Sequence, residues 1–434
     1  MDRLQQDLET LVLQHLDAVG VALRVIADRA TKSGIKLGAR DLRSIRQQLE
    51  RRIGDKAEIR LWRWPWWETR ELSIVLTEED LRDIGDEWER LFARLPELIL
   101  TTSDQVADDL LRTLKRRWRS EYRVQSREQQ GFRRRLRRRW REPLDLYGML
   151  IAVAFELGDQ VADEWRRQPD DGREHLGQTL LRLHARSCQV ASEILALLEH
   201  GFADGAMARW RTMHEIAVTA SFLSDHGNET AERYLLHDVV EAYRALPDYQ
   251  RHCEALGEAS FSATEAAEMK ARHDALVLRF GREFAKPYGW AAAALRLPKP
   301  TFADIERASS LEHLRPYYRM ASQNVHATPK GILFRLGLTD EAVLLAGPSN
   351  IGLADPGQSA AISLMQVTAS LLQLAPTLDH IIAARTIQRL VRDVCEAFGR
   401  VHSELGAETP NGIMTTTGAD RPPSAVCGTH PNSQ

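Results

Sequence analysis

Arg319, Ser322, Gln323 and His326 recur three or four residues apart. At 3.6 residues per turn they fall on one face of a helix. A guanidinium, two hydrogen-bonding side chains and an imidazole on one face are suitable parts for handling a phosphodiester. Asn324 sits off the main stripe but is near enough to hold a phosphate or the imidazole. A second polar group follows the same logic: Arg211, His214 and Glu215 stand at i, i+3 and i+4, and Arg209 points elsewhere. There Glu215 either orients an imidazole or forms an ion pair with Arg211. For both groups the competing reading is a structural polar network that ties helices together.

The elements that must position these residues are legible from their punctuation. Pro316 suits a first helical position, and Pro329 should end that helix soon after His326, whose charged form the helix C-terminus would favour. Ala206, Ala217, Ala220, Phe222 and Leu223 surround the second group, which predicts a tightly packed helix where polar side chains need partners.

The chain has 434 residues, 43% hydrophobic and 27% charged, enough to bury a large core. The formal net charge of −3 hides an asymmetry. Between Arg112 and Arg141 stand fourteen Lys or Arg against Glu121 and Glu128, a local +12, so the remainder carries −15. Such a run is a solvated face paired with acidic groups, a nucleic-acid contact, or a membrane-surface or partner helix. Trp118, Tyr122 and Trp140 lie on its apolar stripe, where packing is their expected role and base stacking the alternative.

Cys188, Cys253, Cys395 and Cys427 are scattered, which fits a reducing cytoplasm rather than a disulfide framework. No secretory signal or membrane span is expected. The sequence contains no Glu-x-x-His, no H-E-x-x-H, no phosphate-loop motif and no dinucleotide fingerprint, so no metal and no cofactor is expected. A metal site built from His214, His237, Glu215 and His326 is the least favoured reading.

Periodicity and breakers predict a mainly α protein. A helical arm occupies 1–105, with a tryptophan-rich turn at 62–67, a short strand at Leu72 to Leu76, and a helix opened by Thr77 and the carboxylates after it. A basic helical segment follows at 106–142, with a break expected near Gly131. A helical core spans 143–404, with helices predicted at 144–165, 176–198, 203–223, 230–245, 264–284, 302–306, 316–327, 359–374 and 377–404. A small β-hairpin insertion is expected from Ile332 to Leu336 and Ala342 to Leu345. Residues 405–434 read as a disordered tail.

The run Leu195-Ala196-Leu197-Leu198-Glu199-His200-Gly201-Phe202-Ala203-Asp204-Gly205-Ala206-Met207-Ala208-Arg209-Trp210-Arg211-Thr212-Met213-His214-Glu215, with Tyr318 and Ser322-Gln323-Asn324-Val325-His326-Ala327, resembles a bacterial domain family of unknown function. The resemblance covers about Trp140 to Arg400. That family looks like a divergent relative of the HEPN helical bundles, many of which are metal-independent ribonucleases with an Arg, four to six residues, then a His. Arg319 to His326 and Arg209 to His214 meet this spacing. Met320 and Trp210 depart from the polar residue usual after the Arg.

The resemblance implies a HEPN-like bundle and a metal-independent endoribonuclease or RNA-binding effector of the toxin or phage-defence kind. It also implies a homodimer that builds the site across its axis. In that mechanism His326 or His214 takes the proton of a ribose 2′-hydroxyl and Arg319 stabilises charge on the phosphate. Glu215 orients the base, while Arg209, Arg211, Ser322, Gln323 and Asn324 bind RNA. The alternative is a non-catalytic interaction module whose polar groups are structural.

Overall fold

The computed structural model describes residues 18–51, 58–62, 71–75, 77–326, 328–338 and 344–408. The chain divides into two units, 1–126 and 127–434. Their boundary falls inside the predicted basic segment rather than at either of its ends.

In the first unit, α1 (Ala18–Lys32) and α2 (Ala39–Arg51) form a helical hairpin. Ile26 and Ile45 are buried between them, with Leu23, Leu37 and Leu49 around. Strands β1 (Glu58–Trp62) and β2 (Glu71–Val75) pair antiparallel, with Glu58 opposite Val75 and Trp62 opposite Glu71. The strand expected at 72–76 is therefore present. The side chains of the tryptophan-rich turn at 62–67 lie outside the described residues.

The helix α3 (Glu78–Arg167) begins where Thr77 and the following acids predict. The Thr77 backbone N–H donates to Asp80 Oδ2 at 2.7 Å, so the cap is reciprocal in kind to a capping box. Asp80 also pairs with Arg29 of α1.

The same helix continues through Gly131 without interruption and breaks its helical geometry at Trp140 (φ −97°, ψ 19°). The expected break at Gly131 is thus displaced by nine residues. A glycine only weakens a helix, whereas Pro143 removes a backbone donor and its ring crowds the carbonyl four residues earlier. The kink falls beside that carbonyl.

From Leu136 onward α3 supplies one wall of the second unit's core, through Leu136, Trp140, Leu144, Tyr147, Ile151 and Ala154 at helical steps. The core is completed by α4 (Glu174–Glu199), α5 (Ala203–Leu256), α11 (Ala354–Leu372) and α12 (Leu378–Glu408). The predicted third and fourth helices are halves of α5. Gly227, at φ 79°, supplies the left-handed residue at which helical geometry lapses between them. Helix α6 (Ala263–Phe280) starts from a Ser262 capping box. Then come the one-turn α7 (Ala292–Leu295), α8 (Phe302–Ala308), α9 (Arg315–Val325) and α10 (Pro329–Leu333).

The molecule is mainly α. The hairpin expected at 332–345 is not formed among its described residues. Thr328 caps α10 by accepting from the Gly331 N–H, and Pro329 starts it, so Ile332 and Leu333 are helical. Residues 339–343 lie outside the described set, as does the predicted tail beyond Glu408. No helix among the described residues is long and apolar enough to cross a membrane.

Candidate functional site

Helix α5 carries His214 to the centre of the second unit, where the imidazole is 0% exposed. Its Nε2 lies 2.7 Å from Glu306 Oε1, and Glu306, from α8, is also 0% exposed. The other oxygen of Glu306 accepts from Arg315 at the start of α9. Burial pushes the Glu306 carboxyl up, but hydrogen bonds and charge from His214 and Arg315 outweigh it and hold the group below its usual range. Three helices thus meet on one carboxylate. The imidazole is walled by the rings of Trp210, Tyr318 and Phe302, with centroids 5.3, 5.6 and 6.2 Å away. Its Nδ1 has no hydrogen-bond partner among the described residues.

A second, shallower layer lies beside it. The Tyr318 hydroxyl donates to Glu215 at 2.6 Å, and Arg211 Nε donates to the same oxygen at 3.2 Å. The Arg211 guanidinium stands 5.1 Å from the centre of the Tyr318 ring. Burial and the Glu215 carboxylate push the Tyr318 phenol up to about 12, so it remains a donor. Arg209 points away, as its position on the helix predicts, to Glu193 and Thr212.

The stripe on α9 is not brought to this layer. Helix α9 ends at Val325, and His326 takes an extended backbone (ψ 140°) as the C-cap. Its imidazole is exposed, as is Arg319. Pro329 ends the helix as expected, and His326 still donates its backbone N–H to the Ser322 carbonyl at 3.1 Å. Ser322 donates back to the Tyr318 carbonyl at 2.8 Å, and Gln323 accepts from Thr328 at 2.5 Å, which ties α9 to the cap of α10. Asn324 Nδ2 is buried without a partner among the described residues.

The residues that spacing missed are Glu306, Arg315 and Tyr318. Glu306 lies 92 positions from His214, beyond any helical pattern. The usable signal was indirect: an imidazole on an alanine-rich helix must find a polar partner. His237, of the metal reading, is buried, and its Nε2–H donates to the Lys286 carbonyl at 3.0 Å. Among the described residues no group of three metal-ligating side chains converges.

The outcome for the basic segment differs in its two halves. In the first unit Leu111, Leu114, Trp118 and Tyr122 form the predicted apolar stripe, yet Trp118 is 55% and Tyr122 58% exposed. The packing expected for those two rings is not formed: no described element covers them. In the second unit Trp140 is fully buried, against Phe398 with ring centroids 5.8 Å apart.

Residues 178–343 match a family of unknown function, DUF5677. The match contains His214, Glu306, Arg315 and Tyr318 and leaves out the basic segment. No curated protein and no solved structure matches the chain.

Proposed function

We propose that the protein is an RNA-binding effector that grips single-stranded RNA along the basic stretch of its first unit, Arg112 to Arg123. The observation that carries this reading is the exposure of Trp118 and Tyr122 among arginines. Their ring centroids stand 6.0 Å apart, and Arg117, Arg119 and Arg123 have no carboxylate partner among the described residues. Guanidiniums neutralise phosphates, and exposed aromatic faces accept unpaired bases of any sequence. A purely structural surface run would be laced with acids, as Arg137 is with Asp145 and Glu199 in the second unit.

The resemblance to HEPN bundles extends the reading to a metal-independent endoribonuclease of the toxin or phage-defence kind, acting in the cytoplasm as a homodimer. Among the histidines, His214 suits a general base held by a carboxylate, since Nε2 is fixed by Glu306 and Nδ1 is unpartnered among the described residues. Its enclosure requires Tyr318 or Phe302 to move before RNA could reach it. A second reading, a non-catalytic interaction module, draws on Leu111 and Leu114, which prolong the exposed stripe with side chains that do not stack on bases.

One experiment separates these. The purified chain is titrated with single-stranded RNA by fluorescence anisotropy, and then incubated with mixed cellular RNA in EDTA beside His214→Ala and His326→Ala. RNA binding that weakens linearly with log salt, by about 0.7 per phosphate contacted, supports the proposal. Cleavage lost in one histidine variant makes that residue the base. No RNA binding at low salt transfers the reading to the interaction module.

A further inference from the structure

A concavity of about 410 Å³ in the second unit is lined by Phe132, Arg135, Leu136, Arg138, Arg139 and Asn350. Three of the six are arginines from one helix, placed at i, i+3 and i+4 so that they share a face. The neighbouring Arg137 turns the other way, to Asp145 at 2.6 Å and Glu199 at 2.7 Å. Arg139 has one carboxylate, Glu408, at 2.8 Å. Arg135 and Arg138 have none among the described residues. Apart from Glu408, the acids paired with this turn of helix among the described residues, Asp145 and Glu199, are thus spent on its other face.

The opposite wall is held in place by the backbone. Ser349 N–H donates to the Gly201 carbonyl at 2.9 Å, and Trp140 Nε1 donates to the Asn350 carbonyl at 2.8 Å. Gly201 is at φ 80°, and a Cβ there would stand 2.6 Å from the Ser349 oxygen and 2.9 Å from the Phe132 ring. Only glycine allows this approach, so the concavity has a fixed floor rather than a loose loop. Convergent guanidiniums repel one another, and that repulsion is relieved by an anion placed between them.

We infer that this concavity is a binding site for a phosphate monoester, with Arg135, Arg138 and Arg139 as the phosphate ligands and Phe132 packing against the group that carries it. The guanidinium fork matches paired phosphate oxygens, and more than one cation suits a dianionic head. The volume is that of a small-ligand pocket, which runs from about 300 to 1,000 Å³. Two sources present this chemistry, a free mononucleotide and the 5′-phosphorylated end of an RNA strand. The site stands on its own geometry, independently of RNA binding by the first unit.

The test uses the full chain and two matched probe pairs. AMP is compared with adenosine by calorimetry, and a 5′-phosphorylated short RNA with its 5′-hydroxyl twin by anisotropy. Each is repeated on Arg135→Gln/Arg138→Gln and on Arg134→Gln, an exposed arginine that does not line the concavity. In at least one pair the phosphorylated probe should bind about tenfold tighter or more. The double variant should abolish that ratio while melting like the wild type, and Arg134→Gln should keep it. The pair that shows the preference identifies the source. A ratio near one in both pairs overturns the site, as does a ratio that survives the double variant or falls equally in Arg134→Gln. Because the readout is a ratio, failure of general RNA binding leaves the AMP arm intact.

Discussion

Two regions of this protein treat charge in opposite ways. Around His214 every formal charge is matched: one carboxylate, Glu306, is shared by an imidazole and the Arg315 guanidinium. Along Arg112 to Arg123 the first guanidinium pairs with Asp109, and those of Arg117, Arg119 and Arg123 are displayed to solvent beside uncovered rings with no carboxylate among the described residues. Burial explains the contrast. Removing ions from water is costly unless they are paired, whereas exposed arginines cost little and remain available to a partner. Charge that is already matched holds helices together, and charge left unmatched is where a ligand can still contribute binding energy.

The largest effect should come from unbalancing the buried group. Arg315→Met leaves the Glu306 carboxylate enclosed with an imidazole alone, and should cost about 3–5 kcal/mol in urea denaturation. Glu306→Gln/Arg315→Met removes the charge and keeps an acceptor for His214, so it should cost less than Arg315→Met alone. Additive losses would show that these residues do not act as one unit.

Acid should sharpen the same contrast, because arginines do not titrate in the relevant range while buried histidine does. His184 of α4 contacts Thr368 at 3.2 Å, and burial pushes its pKa down to about 4. Its folded form therefore prefers the neutral ring, and between pH 6.5 and about 4 the unfolded chain binds more protons. Stability should fall across that window, by about 3 kcal/mol for this group, and flatten below it. Glu306, whose pKa is lowered, acts further down: its contribution holds above the ordinary carboxylate range and is lost as pH falls through its folded value. Denaturation midpoints from pH 7 to 3 should show the upper part of the loss disappear in His184→Gln.

Local signals foretold much of the fold and only part of the site. Pro316, Pro329 and Thr77 act through their own backbone or a neighbour's, so their consequences were legible along the chain. The break expected near Gly131 falls instead at Trp140, close to the start of the expected core helix after Pro143. The hairpin was expected where Thr328 and Pro329 start α10 instead. His214 could be singled out from its helix, but not Glu306, because which distant carboxylate meets it depends on how α5, α8 and α9 pack. The exposure of Trp118 was hidden for the opposite reason. An amphipathic stripe announces that a helix can be covered, and contains nothing about whether the same chain covers it.

That uncovered stripe carries the next prediction. Trp118→Ala should weaken single-stranded RNA binding by about 1–3 kcal/mol, read by anisotropy at fixed salt. It should leave the denaturation midpoint almost unmoved, since the ring is 55% exposed. Arg117→Ala should instead lower the slope of affinity against salt by about 0.7, the signature of one phosphate contact. If Trp118→Ala lowered stability and spared binding, the ring would belong with the packed residues.

The smallest stability effect belongs to the two residues whose spacing first suggested chemistry. Arg319 and His326 are exposed, and His326 lies past the end of α9, so neither ring nor guanidinium supports a neighbour. Arg319→Ala and His326→Ala should each shift unfolding by no more than about 0.5 kcal/mol. That near-silence makes them clean probes. Any loss of RNA cleavage in His326→Ala would have to be chemical, because the fold would be intact. The same loss in His214→Ala would need its unfolding curve beside it, since that imidazole is built into the core.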